Sequence, residues 1–178
     1  RIRLEIMEPV VGALKDRGTP YSGVLYAGLI LTGDGPKVIE FNCRLGDPEA
    51  QVVLPRLKTD LLEVMIRAAE GDVSAARLEW DPRPCVGVVM ASEGYPGKYS
   101  TGHSVTGLDQ LPPDVDVFHA GTGRARANGG GVETSGGRVL TVSARGSDLE
   151  DARKRAYAGA ASISFDNSFY RKDIALLP

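Results

Sequence analysis

Apolar and polar positions fall into two regimes along this chain. In the first, Ile6, Val10 and Leu14 recur at helical spacing and predict a helix that stops at Gly18. Pro9 lies inside this stretch and fits only its first turn, where a missing N–H leaves no hydrogen bond unmade. Residues 24–32 form a continuous apolar run of strand length. Residues 33–36, Gly-Asp-Gly-Pro, predict a turn, and residues 37–43 predict a second strand. Two strands joined by a tight turn read as a hairpin. Asp47 followed by Pro48 predicts a helix N-cap with proline at the first helical position. Thr59 or Asp60 caps a longer helix to Glu70. Its apolar side is Leu61, Leu62, Met65, Ile66 and Ala69, and Gly71 is its natural end.

The pattern changes near residue 80. The string Trp80-Asp-Pro-Arg-Pro84 reads as a linker by its prolines. Short strands are predicted at 85–91, 104–107, 115–120 and 138–144. Glycine-rich turns separate them, among them 128–131 and 136–137. A closing helix is predicted at 148–163, with Leu149, Ala152, Ala156 and Ala160 on one face. The expected fold class is α+β, with one domain over residues 1–79 and a small strand-rich domain with one closing helix over 80–178.

Length and composition narrow the class. The 178 residues suffice for one medium domain or one and a half small ones. A hydrophobic share of 42% and a charged share of 25% are ordinary for a globular chain. A net charge of −2 gives no nucleic-acid footprint, and no apolar run is long enough to span a membrane, so neither partner is expected. Two cysteines, Cys43 and Cys85, and two histidines, His103 and His119, are too few for a disulfide framework or a Cys/His metal site. The expected location is the cytoplasm. The opening Arg1-Ile-Arg-Leu-Glu-Ile-Met reads as the interior of an element already under way, and hence as part of a longer polypeptide.

Candidate chemistry concentrates in Val38-Ile-Glu-Phe-Asn-Cys-Arg-Leu-Gly-Asp-Pro-Glu49. Alternation along a strand turns Ile39, Phe41 and Cys43 one way, toward a core, and Glu40 and Asn42 the other way, side by side. A carboxylate and an amide oxygen so placed suit a hard cation such as magnesium, which takes one or two protein oxygens and completes its shell with phosphate and water. If the strand continues, Arg44 joins that face, where a guanidinium beside a metal suits a transferring phosphoryl group. The same alternation also describes any half-buried strand with a solvated polar face. Asp47 has a local reading as an N-cap. Cys43 reads as core rather than nucleophile. His119 reads as a hydrogen-bonded strand residue, Tyr95 as a packed loop aromatic, and the glycines at 121–123 and 128–131 as turn chemistry rather than a phosphate loop.

These segments carry a resemblance. Tyr21-Ser-Gly-Val-Leu-Tyr-Ala-Gly-Leu-Ile-Leu-Thr32, the 38–51 string and Leu54-Pro-Arg-Leu-Lys-Thr-Asp-Leu61 resemble the glycinamide ribonucleotide synthetase family. The likeness resumes in Gly87-Val-Val-Met-Ala-Ser-Glu-Gly-Tyr-Pro-Gly97, Val117-Phe-His-Ala-Gly-Thr122, Gly136-Gly-Arg-Val-Leu140 and Tyr170-Arg-Lys-Asp-Ile174, and so spans nearly the whole chain. The resemblance implies the C-terminal part of an ATP-grasp domain followed by the family's C-terminal domain. It implies an ATP-dependent ligation of glycine to 5-phosphoribosylamine through a glycyl phosphate, in purine biosynthesis. It implies that Glu40 and Asn42 hold magnesium, or manganese, on the ATP phosphates. Arg44 would steady the transferring phosphate, and Gly46 and Asp47 would lie beside the glycine, with Asp47 a partner for its ammonium.

The chain departs from the pattern in two places. The strand at 24–31 carries no carboxylate where many ATP-grasp enzymes place a second metal ligand, and Ala175 stands where the family's closing motif has glycine. The resemblance further implies that most of the ATP grip and an N-terminal domain belong to the preceding part of the same polypeptide, so the chain alone is expected to be inactive. Two alternatives stand beside this reading: a non-catalytic binding or structural module on the same scaffold, and another ATP-grasp carboxylate–amine ligase.

Overall fold

The computed structural model describes residues 1–125 and 130–176. The chain divides into two compact units, residues 1–49 with 57–80, and residues 50–56 with 81–178. Residues 50–56 thus pack with the part of the chain that begins at Asp81.

The first unit opens with one π-helical stretch, Arg3–Met7, that runs into α1, Glu8–Asp16. Pro9 is the second residue of α1, but the helical run reaches back to residue 2, so the proline follows directly on the π-turn rather than sitting in a free first turn; Gly18 beyond the helix end takes a positive φ of 74°. β1, Tyr26–Thr32, and β2, Gly35–Asn42, form the expected antiparallel hairpin. The long helix of this unit is Leu61–Glu70. Asp60 caps it by accepting from Leu62 N at 2.8 Å, and Gly71, at φ 83°, ends it with Asp72 N donating to Arg67 O. Thr59, the other capping candidate, instead donates to Arg77 O and accepts from Glu79 N, which ties the return of the chain.

A hydrophobic layer over these elements is missing from the unit. None of its helices contains a buried residue. Leu31 is 78% exposed, Ile39 67% and Leu62 63%. The expectation that Ile39, Phe41 and Cys43 face a core is therefore corrected: all three are exposed. A two-stranded ribbon has two faces and no second layer, so alternation sorts its side chains without covering them. Along the long helix runs an apolar cleft of about 710 Å³, walled by Val24, Leu61, Met65, Ala68, Val73 and Leu78.

The second unit begins with a short helix, α2, Ala50–Val53, continued by a 3₁₀ turn, Leu54–Arg56; the 61–70 helix, in chain order, is α3. The helix predicted to start with Asp47 as its cap and Pro48 as its first residue starts two residues later, at Ala50. Residues 47–49 are a turn, and the Asp47-Pro48 peptide is cis. β3 (Cys85–Ser92), β5 (Val115–His119), β8 (Arg138–Arg145) and β9 (Ser168–Phe169) form an antiparallel sheet in the order β5-β8-β3-β9. β4 (Ser104–Val105), β6 (Thr122–Arg124) and β7 (Val132–Thr134) form a second sheet, β4-β7-β6. α4, Leu149–Ser162, covers the larger sheet. Asp148 caps it by accepting from Asp151 N at 2.8 Å.

α4 is an alanine-rich helix because it lies close. A Cβ on Gly159 would fall 2.6 Å from Val115 Cγ1 and 2.9 Å from Val142 Cγ1. Val88, Met90, Val139, Leu140, Val142, Ala152 and Ala156 are fully buried in the core of this unit. β6, β7 and β9, two or three residues long, have no counterpart in the predicted strands. Thr122 and Gly123 belong to β6 rather than to a turn, while Asn128 and Gly129 of the glycine-rich stretch lie outside the described residues.

Candidate functional site

The β hairpin builds the site, and a bulge decides which side chains share its faces. Counting back from the Thr32/Gly35 pair at the turn, an unbroken ladder would set Gly28 opposite Ile39 and Tyr26 opposite Phe41. The register instead shifts between Gly28 and Leu29, where Ile39 is left without a partner. Gly28 therefore pairs with Glu40, and Tyr26 with Asn42. Directly opposed residues in an antiparallel ladder project to the same face. The bulge thus gathers Tyr26, Gly28, Glu40 and Asn42 on one face, while Ala27 with Phe41, and Leu29 with Val38, take the other.

On the first face, Glu40 and Asn42 are in contact: Asn42 Nδ2 donates to Glu40 Oε1 at 2.9 Å. Gly28 makes room for this arrangement, because a Cβ there would sit 3.1 Å from Glu40 Cγ. The amide nitrogen is turned to Glu40, which leaves the amide oxygen of Asn42 and the second carboxylate oxygen of Glu40 as hard donors. That set fits a divalent cation completed by phosphate oxygens. Among the described residues no cluster of three or more His, Cys, Asp or Glu is arranged as a self-sufficient metal site.

Arg44 is not brought to this face by the strand. β2 ends at Asn42, residues 43–44 bend away, and Arg44 Nη1 donates to the Leu45 carbonyl at 2.8 Å. The expectation that a continued strand aligns Arg44 with Glu40 and Asn42 is corrected on that ground. Gly46 is the only buried residue of the first unit. Asp47 is exposed in the following turn.

Two residues outside the sequence-based set belong to the same neighbourhood. The Glu49 side chain folds over Gly46 so closely that a Cβ on Gly46 would overlap its carboxylate. The nearby Glu49 side chain first, then desolvation, then the charges of Glu49 and Glu40, raise the Tyr26 pKa above its ordinary value.

The other singled-out residues lie elsewhere. Cys85 opens β3 half-buried, and desolvation pushes its thiol pKa up, which disfavours a thiolate. His119 ends β5 and shares a 3.0 Å hydrogen bond with Thr122 Oγ1. His103 is held by Ser100 Oγ at 2.8 Å. Tyr95 packs on Gly137, where a Cβ would overlap its ring, and tilts against Tyr99 at 6.2 Å.

Comparison with known proteins gives these elements a context. The family described as phosphoribosylglycinamide synthetase, C domain, matches residues 85–177, and phosphoribosylglycinamide synthetase, ATP-grasp (A) domain, matches residues 1–50. A phosphoribosylamine–glycine ligase from Allochromatium vinosum is 48% identical over 176 residues, covering 98% of this chain and 40% of that protein. The crystal structure of phosphoribosylamine–glycine ligase from Thermotoga maritima superposes with a TM-score of 0.74 at 32% identity, covering 91% of this chain and 39% of that one. The biotin carboxylase domain of 2-oxoglutarate carboxylase from Hydrogenobacter thermophilus, in complex with MgADP, shares the fold at a TM-score of 0.56 and 16% identity, over 93% of this chain and 38% of its own. The chain spans about 40% of the length of the curated ligases it matches. With a C-domain match over more than half its residues, it belongs to the phosphoribosylglycinamide synthetase family.

Proposed function

We propose that this chain supplies the metal-holding strand and the acid-substrate turn of a phosphoribosylamine–glycine ligase, an enzyme that joins glycine to 5-phosphoribosylamine with ATP as co-substrate. The observation that carries the reading is the contact between Glu40 and Asn42 on β2, with Gly28 cleared beneath the carboxylate. The A. vinosum and T. maritima proteins named for that activity support it, as does the MgADP bound by the H. thermophilus domain of the same fold.

In this reading Glu40 and Asn42 hold magnesium, or manganese, against the ATP phosphates. The ion's contribution is to neutralise charge on the phosphoryl group in transfer. The glycine carboxylate displaces ADP from the γ-phosphorus and becomes an acyl phosphate. The amine of phosphoribosylamine then attacks the acyl carbon, phosphate leaves, and the amine loses a proton as the amide forms. Arg44, a permanently charged fork, steadies the phosphate oxygens during both steps once it swings from the Leu45 carbonyl. Gly46 presents backbone beside the glycine, and Asp47, exposed in the turn, pairs with its ammonium. The remainder of the same polypeptide completes the ATP site and the phosphoribosylamine site, and the reaction runs in the cytoplasm.

The test is phosphate release by the intact polypeptide, dependent on ATP, glycine and phosphoribosylamine, with and without Glu40→Ala. Loss of at least about a hundredfold in turnover, with the fold unchanged, is expected for a group that holds the phosphate-bound metal. The 178-residue chain by itself is expected to give none. Full activity in Glu40→Ala would reduce this face to a polar strand surface, and turnover with a different acid and amine would assign another ligase.

A further inference from the structure

The second unit holds a cluster of reactive side chains of its own. His103 stands just before β4 and is mounted on Thr134, a residue only 1% exposed. Its backbone N–H donates to Thr134 Oγ1 at 3.1 Å, and its carbonyl accepts from Thr134 N at 2.9 Å. The preceding Gly102 N donates to the Thr134 carbonyl at 2.7 Å. The imidazole so fixed meets a partner on each nitrogen. Nε2 lies 2.8 Å from Ser100 Oγ, and Nδ1 faces Asp166 Oδ2 at 3.7 Å. Asp166 is placed by a turn of its own. The preceding Phe165 is buried, Ser168 N donates to the Phe165 carbonyl at 3.1 Å, and the Asn167 carbonyl accepts from Glu93 N at 2.8 Å.

We propose that Ser100, activated by His103 and oriented through Asp166, is a nucleophile that takes acyl groups from small activated esters. This goes beyond the ligase reading and uses none of its residues. A carboxylate opposite Nδ1 favours the tautomer with its proton there, which leaves the Nε2 lone pair for the Ser100 hydroxyl. Serine, imidazole and carboxylate in that order are the parts of a nucleophilic hydrolase site, which is defined by geometry and not by fold. Ser100 is exposed, so an ester carbonyl can reach its oxygen. Oγ attacks the acyl carbon as its proton passes to Nε2. The ester C–O bond breaks, and the proton leaves with the alcohol. Water attacks the acyl-serine by the same route, releases the acid and restores the hydroxyl. Ser100 and His103 touch the reacting atoms, whereas Asp166 is a positioning residue that acts through the ring. The N–H groups of Gly102 and His103 are committed to Thr134 and do not stabilise the tetrahedral oxygen, so acylation is slow and the acyl-serine accumulates.

The experiment treats the intact polypeptide with p-nitrophenyl acetate, follows nitrophenolate release, and maps the acetylated residue by peptide mass spectrometry. Acetylation at Ser100 is expected, and Ser100→Ala should remove it. His103→Gln should slow acetylation of Ser100 by at least about a hundredfold, the usual contribution of a positioned general base. Asp166→Asn should slow it less and move its pH–rate profile to lower pH, because the imidazolium loses the carboxylate that stabilises it. Melting temperatures equal to the parent's show that each variant is folded, and mapping on the parent decides the site even where a variant is not. Absence of acetyl on Ser100, or an equal rate in His103→Gln, would overturn the proposal and leave the Ser100–His103 hydrogen bond as a tie within the loop. An unmoved pH–rate profile in Asp166→Asn would overturn the role given to Asp166.

Discussion

The two units of this chain stand in contrast. The second closes a core in which Val88, Met90, Leu140 and Val142 are sealed between a four-stranded sheet and α4. The first carries the candidate chemistry yet buries only one glycine, and most of the exposed large apolar side chains are its own. Apolar patterning of similar quality is present in both. What differs is whether a second layer lies against the patterned face. Local signals such as a cap, a turn or a bulge shape elements, but burial needs a partner surface.

The largest effect that sharpens this contrast lies in the core. Met90→Ala should destabilise the second unit by about 2–5 kcal/mol, whereas Leu62→Ala, on the uncovered side of α3, should change stability by less than about 0.5 kcal/mol. Urea unfolding followed by hydrogen exchange at β3 and β8 for the first variant and at α3 for the second measures both, and equal costs would break the comparison. Next is association. The exposed ribbon and α3 should make the 178-residue chain self-associate as concentration rises, and Leu31→Lys with Ile39→Lys should reverse this without moving the unfolding of the second unit. Concentration-independent monomers by sedimentation would count against it.

A smaller effect has the opposite sign. Ala175 holds φ 56°, the left-handed conformation that glycine adopts freely, so the turn has kept a glycine's shape with an alanine in it. Ala175→Gly should raise the stability of the second unit by about 1 kcal/mol, read from its melting temperature. The smallest is confined to acid. Ser147 N–H first, then Arg155, hold the Asp151 carboxyl below its ordinary 3.8. A depressed carboxyl contributes stability that is complete above 3.8 and is lost as pH falls through the lower folded value. Asp151→Asn should therefore flatten the acid side of the melting profile below pH 3.8 and leave the neutral side parallel to the parent.

The sequence made the hairpin, α3 with its Asp60 cap and Gly71 stop, β3, β8 and α4 legible, because each is marked by punctuation or by a long periodic run. It also put Glu40 beside Asn42, since neighbours two apart on a strand share a face. It did not show that Ile39, Phe41 and Cys43 would stay uncovered, because alternation reports amphipathy and not the layer opposite. It put Arg44 on that face only if the strand continued, and β2 ends at Asn42. It gave no sign of β6, β7 and β9, whose two or three residues carry no period.

The unpaired Ile39 also gives the hairpin slack in its length. Deleting that residue would leave every partnership across the ribbon as it stands, with Gly28 on Glu40, Tyr26 on Asn42 and Leu29 on Val38. Deleting Lys37 or Phe41 would make neighbours exchange partners. The strand thus has one point at which an insertion or deletion is silent for the site, flanked on both sides by points at which it is not.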